Sequence, residues 1–152
     1  MDDLSAGYFF MPHVPTTNQV VSAILTLYTS LSVKVHGRYT ILAAFVLCNS
    51  WSNDIKIISL STGSKCLPTV KLPDRGESLH DSHAEVLARR GAIRWFLQEI
   101  GRTCANSTFQ SDWIMREDGQ FMLKKGVEVL MYISTIPCEI SLPECFSRIL
   151  NG

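Results

Sequence analysis

The stretch Thr40-Ile-Leu-Ala-Ala-Phe-Val-Leu-Cys48 constrains the fold of this chain more than any other. It is almost continuously apolar and ends at a polar turn from Asn49 to Asn53, so it reads as a buried strand. Asp54-Ile-Lys-Ile-Ile-Ser-Leu60 follows as the second strand of a hairpin, and Thr62-Gly-Ser-Lys-Cys66 as a loop. Residues 67–80 hold two prolines, a glycine and several charges, which predicts loop. Asp81 or Ser82 can cap a helix over about 83–99, whose apolar residues Val86, Leu87, Ile93, Phe96, Leu97 and Ile100 recur at helical spacing and which Gly101 would stop. Residues 101–125 are polar, a long loop or hairpin. After Gly126, Val127–Ile133 reads as a third strand. Strand, strand, helix, strand is an α/β order in which a helix crosses over between strands.

Ahead of these elements, residues 1–15 form an irregular arm with Pro12 and Pro15. Thr16 or Thr17 caps a first helix with an apolar stripe of Val20, Val21, Ile24, Leu25, Leu27, Tyr28 and Leu31. The 152 residues amount to one domain, and 46% hydrophobic against 18% charged residues excludes a disordered or fibrous chain. The 14 basic and 14 acidic residues cancel, so the basic excess usual in nucleic-acid binders is missing. Five cysteines at irregular spacings, behind an acidic Met1-Asp2-Asp3 start with no secretory signal, predict reduced thiols or metal ligands and an intracellular protein, in nucleus or cytoplasm. No apolar run is long enough to span a bilayer.

Chemistry concentrates at two places. His83-Ala84-Glu85 opens the second helix, and Pro137-Cys138 follows directly after the third strand. Together they make the H-x-E then P-C pattern of the zinc nucleobase deaminases. Imidazole and thiolate bind zinc tetrahedrally with one position left for water, whose pKa the metal lowers towards neutrality. A carboxylate beside the metal can then carry protons. Taken alone, His83 reads as a surface or capping histidine rather than a ligand; Pro137-Cys138 downstream and the longer run around the histidine reverse that reading.

The longer run Asp81-Ser-His-Ala-Glu-Val-Leu-Ala-Arg-Arg90 resembles the core motif of the adenosine-to-inosine RNA editases. Thr62-Gly-Ser-Lys-Cys66 is similar to their loop before that motif, and Tyr132-Ile-Ser-Thr-Ile-Pro-Cys138 to their metal strand. The resemblance covers about residues 20–138. It is closer to the tRNA-specific type than to the double-stranded-RNA type, because the catalytic region starts near Met1 with no duplex-binding module before it. It implies a cytidine-deaminase-like layered α/β/α mixed sheet, incomplete at the C-terminus, with residues 16–138 as the N-terminal part of the deaminase domain. It further implies that His83 and Cys138 bind zinc and that Glu85 is the proton shuttle. Arg89 and Arg90 match the arginines that hold a buried inositol hexakisphosphate; a solvated helix face is the other reading of both. Ser64 and Lys65 match positions near the target nucleotide of the tRNA partner; a solvated loop lysine is the other reading of Lys65.

The pattern departs from the family after Cys138. Glu139-Ile-Ser141 replaces the residues usual there, and the family's third zinc ligand, a cysteine tens of residues further on, has no counterpart. Residues 139–152 read as a divergent tail, and the chain as a truncated form with little or no activity. Cys145 is a candidate third ligand; an ordinary thiol is the other reading. His80 stands where the family often has asparagine, and His13 and His36 read as surface residues. Cys48 and Trp95 are expected in the core, and Trp51 and Trp113 in packing rather than base stacking. Cys66 and Cys104 have polar surroundings.

Overall fold

The computed structural model describes residues 14–31, 40–66, 81–106 and 108–135. Helix α1 (Thr17–Ser30) starts at a capping box. The Thr16 hydroxyl accepts the Gln19 N–H at 3.4 Å, and the Gln19 side-chain oxygen accepts the Thr16 N–H at 2.8 Å. Of the expected stripe, Val20 and Ile24 are buried and Tyr28 packs beside them, whereas Leu25 and Leu31 are exposed.

Strands β1 (Leu42–Asn49) and β2 (Asp54–Thr62) form the expected hairpin, with Asn53 at φ 58° in its turn. The strands β3 (Ser64–Cys66) and β4 (Asp81–His83) form a short antiparallel ladder before α2 (Ala84–Ala105). The loop expected over 62–66 is therefore partly a strand: backbone pairing with β4, distant in sequence, organises it. A second hairpin, β5 (Ile114–Glu117) and β6 (Gln120–Leu123), turns through Asp118 at φ 49° and Gly119 at φ 81°. Both turn residues are left-handed, as a two-residue Asp-Gly hairpin requires. Strand β7 (Val127–Ile133) has the bounds expected of it.

The main sheet has the order β2-β1-β7, antiparallel at both junctions. β2 and β7 consequently run the same way on either side of β1, and α2 lies in the crossover between them. The mixed sheet implied by the family resemblance shows only antiparallel pairs among the described residues.

The central strand explains the continuous apolar run. Leu42, Ala44, Val46 and Cys48 pack with Val20 and Ile24 of α1; Ala43, Phe45 and Leu47 pack with Ala84, Ala88 and Ala92 of α2. Each face of β1 thus feeds a separate core, with one helix on each side. Cys48 is buried as expected; burial, then Glu128, pushes its thiol pKa up. Cys104 is exposed. Trp113 is buried, Trp95 is half-buried against the α2-side core, and Trp51 is exposed. Among the described residues no helix is long and apolar enough to cross a membrane.

Two expectations for α2 are corrected. The large apolar residues do not form its main buried line: Ile93 is 43% and Leu97 64% exposed, while Ala84, Ala88 and Ala92 are buried. Small residues let the helix backbone lie close to the sheet, and a Cβ at Gly91 would stand 2.2 Å from the Ser59 hydroxyl oxygen. Second, α2 continues through Gly101 to Ala105. Glycine inside a helix costs about 1 kcal/mol relative to alanine, which tertiary contacts override.

One such contact centres on Glu99, which is 4% exposed. Its carboxylate meets the Arg102 guanidinium at 2.5 Å and accepts the Ser111 hydroxyl at 2.6 Å. Ser111 in turn accepts the N–H groups of Trp113 and Ile114, at 3.2 and 3.3 Å. Glu99 thereby ties the end of α2 to the segment that brings Trp113 and Ile114 into the core. Glu99→Ala leaves Ser111 without its acceptor and should cost about 2 kcal/mol, since hydrogen bonds to charged groups contribute roughly 1.5–3 kcal/mol. Urea unfolding reads this directly, and a loss below about 0.5 kcal/mol would show that the network is dispensable.

Candidate functional site

Three chain segments converge at one end of the main sheet. β1 begins there, β2 ends there, with Leu42 opposite Thr62, and β7 ends there, with Ala43 opposite Ile133. Backbone hydrogen bonds extend the convergence past the strands. Gly63 N–H donates to the Ile41 carbonyl at 3.1 Å, and Ser134 N–H donates to the Leu42 carbonyl at 2.9 Å. Ala84 N–H donates to the Gly63 carbonyl at 3.2 Å, docking the start of α2 at the same place.

This docking requires glycine at 63. A Cβ there would lie 1.9 Å from the Ser82 carbonyl oxygen, so only glycine lets β2 pass so close to β4.

His83 is the last residue of β4 and the N-cap residue of α2, extended at φ −65° and ψ 140°. The expected caps, Asp81 and Ser82, lie in β4 instead, and His83 makes no side-chain capping bond. The Asp81 carboxylate accepts the His83 N–H at 3.0 Å and sits 3.3 Å from His83 Nδ1, holding backbone and ring together. Carboxylates that orient a histidine this way are usual behind metal-binding imidazoles. Glu85 lies in the first turn of α2 and is buried, at 9% exposure. The positive end of a helix favours a carboxylate there.

Ser64 is exposed and stands opposite His83 in the β3–β4 register; Lys65 stands opposite Ser82. The structure thus brings the first loop motif next to the histidine motif. Arg89, one helical turn beyond Glu85, differs from its neighbour. Arg90 is exposed, whereas Arg89 is half-buried, and its Nε is wholly buried without a hydrogen-bond partner among the described residues. A buried unpaired donor costs roughly 1–3 kcal/mol.

Pro137, Cys138 and Cys145, like His13, His36 and His80, lie outside the described residues, as do residues 1–13 of the arm expected over 1–15 and the tail over 139–152. Among the described residues, no three His, Cys, Asp or Glu side chains form a metal cluster. Two residues of the site were missed from sequence. Asp81 was read only as a cap, although an Asp two positions before a candidate ligand histidine is itself a signal. Ser61, whose hydroxyl donates to the Ala84 carbonyl at 2.5 Å, gave no signal, because its placement depends on an irregularity in β2.

Residues 59–142, more than half of the chain, match the family model of the adenosine-deaminase (editase) domain. The double-stranded RNA-specific editase Adar of Drosophila melanogaster is 34% identical over 109 residues, which cover 69% of this chain and 16% of that protein. The tRNA-specific adenosine deaminase 1 of Saccharomyces cerevisiae is 39% identical over 107 residues, 66% of this chain and 26% of that protein. The Schizosaccharomyces pombe protein of the same name is 28% identical over 148 residues, 89% of this chain and 38% of that protein. The chain thus spans well under half the length of these curated relatives.

Proposed function

Because the chain belongs to the adenosine-deaminase (editase) domain family, we propose that it carries part of the site of a zinc-dependent enzyme converting adenosine to inosine in tRNA. The observation that carries this reading is the placement of His83 and buried Glu85 at the sheet end to which β7 leads. Thr135, the last described residue there, is three residues from Cys138. We read residues 16–138 as the N-terminal part of a cytidine-deaminase-like layered domain and 139–152 as a divergent tail, in a protein of the nucleus or cytoplasm.

The donor set suits zinc: an imidazole oriented by Asp81, together with a thiolate. His83 and Cys138 would hold the metal. Zinc supplies a Lewis acid that makes water acidic enough to serve as a nucleophile near neutral pH. Glu85 would take the first proton of the water as its oxygen adds to C6 of adenine and give it to the ring nitrogen. It would then carry the second proton, from the new C6 hydroxyl, to the amine, which leaves as ammonia when the C6–N bond breaks and a C6 carbonyl forms, giving inosine. Ser64 and Lys65 lie on the substrate side, where a lysine neutralises phosphate. Arg89 and Arg90 would hold inositol hexakisphosphate. The buried Arg89 Nε, without a partner among the described residues, fits such a polyanion; Arg90, being exposed, shows no comparable sign.

A catalytic zinc ordinarily has three protein ligands. His83 and Cys138 account for two, and Cys145 is the candidate for the third, so we expect these 152 residues to bind zinc weakly and turn over little. Double-stranded RNA is the second substrate reading, because the fly duplex-specific editase matches at an identity comparable to the tRNA deaminases. The test is single-turnover incubation of the zinc-loaded chain, in excess, with a tRNA transcript and with an RNA duplex, followed by nucleoside mass spectrometry. A trace of inosine from tRNA, absent with Glu85→Gln, is expected. Inosine from the duplex alone would move the substrate class. None from either RNA, with zinc bound, would leave a catalytically silent RNA- or partner-binding chain.

A further inference from the structure

We propose that Ser61 is a positioning residue for the His83–Glu85 pair, an inference that rests on the zinc-deaminase reading of that pair. It begins with a defect in the sheet. Phe45 pairs with Ser59 and Val46 with Ile57, so Ile58 is an extra residue in β2. Strand side chains otherwise alternate between faces. Ile55, Ile57 and Leu60 pack on the α1 side, whereas Ile58 packs in the α2-side core and Ser59 approaches Gly91 of α2. The bulge thus puts two successive residues, Ile58 and Ser59, on the same face. Without it, strict alternation from Ile57 would turn Ser61 towards α1. Bulges re-aim side chains in this way next to active sites.

The re-aimed Ser61 hydroxyl donates to the Ala84 carbonyl at 2.5 Å. Ala84 N–H is already held by the Gly63 carbonyl at 3.2 Å. Ala84 is fully buried and lies between the candidate metal ligand and the candidate proton carrier. Both its polar backbone groups are therefore tied to β2 and the residue following it. The N–H belongs to the His83–Ala84 peptide and the carbonyl to the Ala84–Glu85 peptide, so both peptides between His83 and Glu85 are held. Displacements of about 1 Å in catalytic sites cost roughly a hundredfold in rate. Ser61 thus fixes the spacing of the two groups through the Ala84–Glu85 peptide, without touching metal or substrate.

The test uses the full chain with cobalt(II) as the probe metal, read by its visible absorption, and hydrogen exchange of the Ala84 amide by NMR. Ser61→Ala is expected to weaken cobalt affinity about tenfold, as loss of outer contacts behind metal ligands does. It should speed Ala84 exchange about three- to tenfold, the worth of one hydrogen bond. Ser61→Thr keeps the hydroxyl and should restore both. Ser59→Ala, on the same face and against the same helix, should change neither. Unchanged cobalt affinity in Ser61→Ala overturns the proposal, even with faster exchange. So does an equal loss in Ser59→Ala, which would mark general packing. If the unaltered chain takes up no cobalt, the zinc reading fails, and Ala84 exchange alone decides whether Ser61 holds the peptide.

Discussion

Cobalt(II) added to the His83→Ala chain is expected to give none of the visible absorption that a nitrogen–sulfur site produces. Zinc binding by four-ligand N/S sites is worth about 10–16 kcal/mol, or about 3 kcal/mol for each ligand, so loss of one ligand should weaken affinity at least about a hundredfold. The fold should survive the change. His83 makes no side-chain capping bond, and its backbone N–H keeps the Asp81 carboxylate as acceptor. Far-ultraviolet circular dichroism and the urea midpoint should therefore stay near those of the unaltered chain. Cys138→Ser should reproduce the metal loss. Glu85→Gln should not, because Glu85 is assigned to proton transfer and not to the metal. Titration with cobalt separates these cases: equal affinity in His83→Ala and the unaltered chain would remove His83 from the ligand set.

Gly63→Ala should cost about 3 kcal/mol of stability, the upper end for overpacking. The new Cβ would stand 1.9 Å from the Ser82 carbonyl oxygen and 3.1 Å from its carbon. Backbone cannot rotate away as a side chain can, so β4 must move, and His83 with it. Metal affinity should fall together with stability, which distinguishes Gly63→Ala from the purely structural Glu99→Ala. Gly101→Ala provides the opposite case. Among the described residues no neighbouring atom lies within 4 Å of a Cβ there, and the residue is helical. Alanine should stabilise by about 1 kcal/mol. A urea midpoint for Gly63→Ala equal to that of the unaltered chain would mean that β3 and β4 part at no cost.

Both expectations rest on backbone geometry that is only partly legible in the sequence. The strands around residues 40–60 and 127–133 were legible because their apolar runs have no other means of burial, whereas 101–125 read only as a loop or hairpin and the Asp118–Gly119 turn emerged with the structure. The boundaries of α2 were not. Its start is set by pairing of Asp81–His83 with Ser64–Cys66, and its end by the contacts of Glu99, both non-local. The apolar spacing of Ile93 and Leu97 pointed to the wrong face, since periodicity cannot reveal that alanine and glycine are the residues allowing close approach to the sheet.

The candidate site divides along the same line. Its residue types were present in the sequence as His83, Glu85, Arg89 and Cys138, and motif order alone pointed to the editase family that residues 59–142 match. Side-chain chemistry is local, so a short motif can carry it. Which groups hold that chemistry in place was decided only by the fold. One extra residue at Ile58 turns Ser61 towards Ala84, a missing Cβ at Gly63 admits Ser82, and burial leaves Arg89 Nε without an acceptor among the described residues. Each depends on the register or distance between segments far apart in the chain, which packing fixes and local residue preference does not.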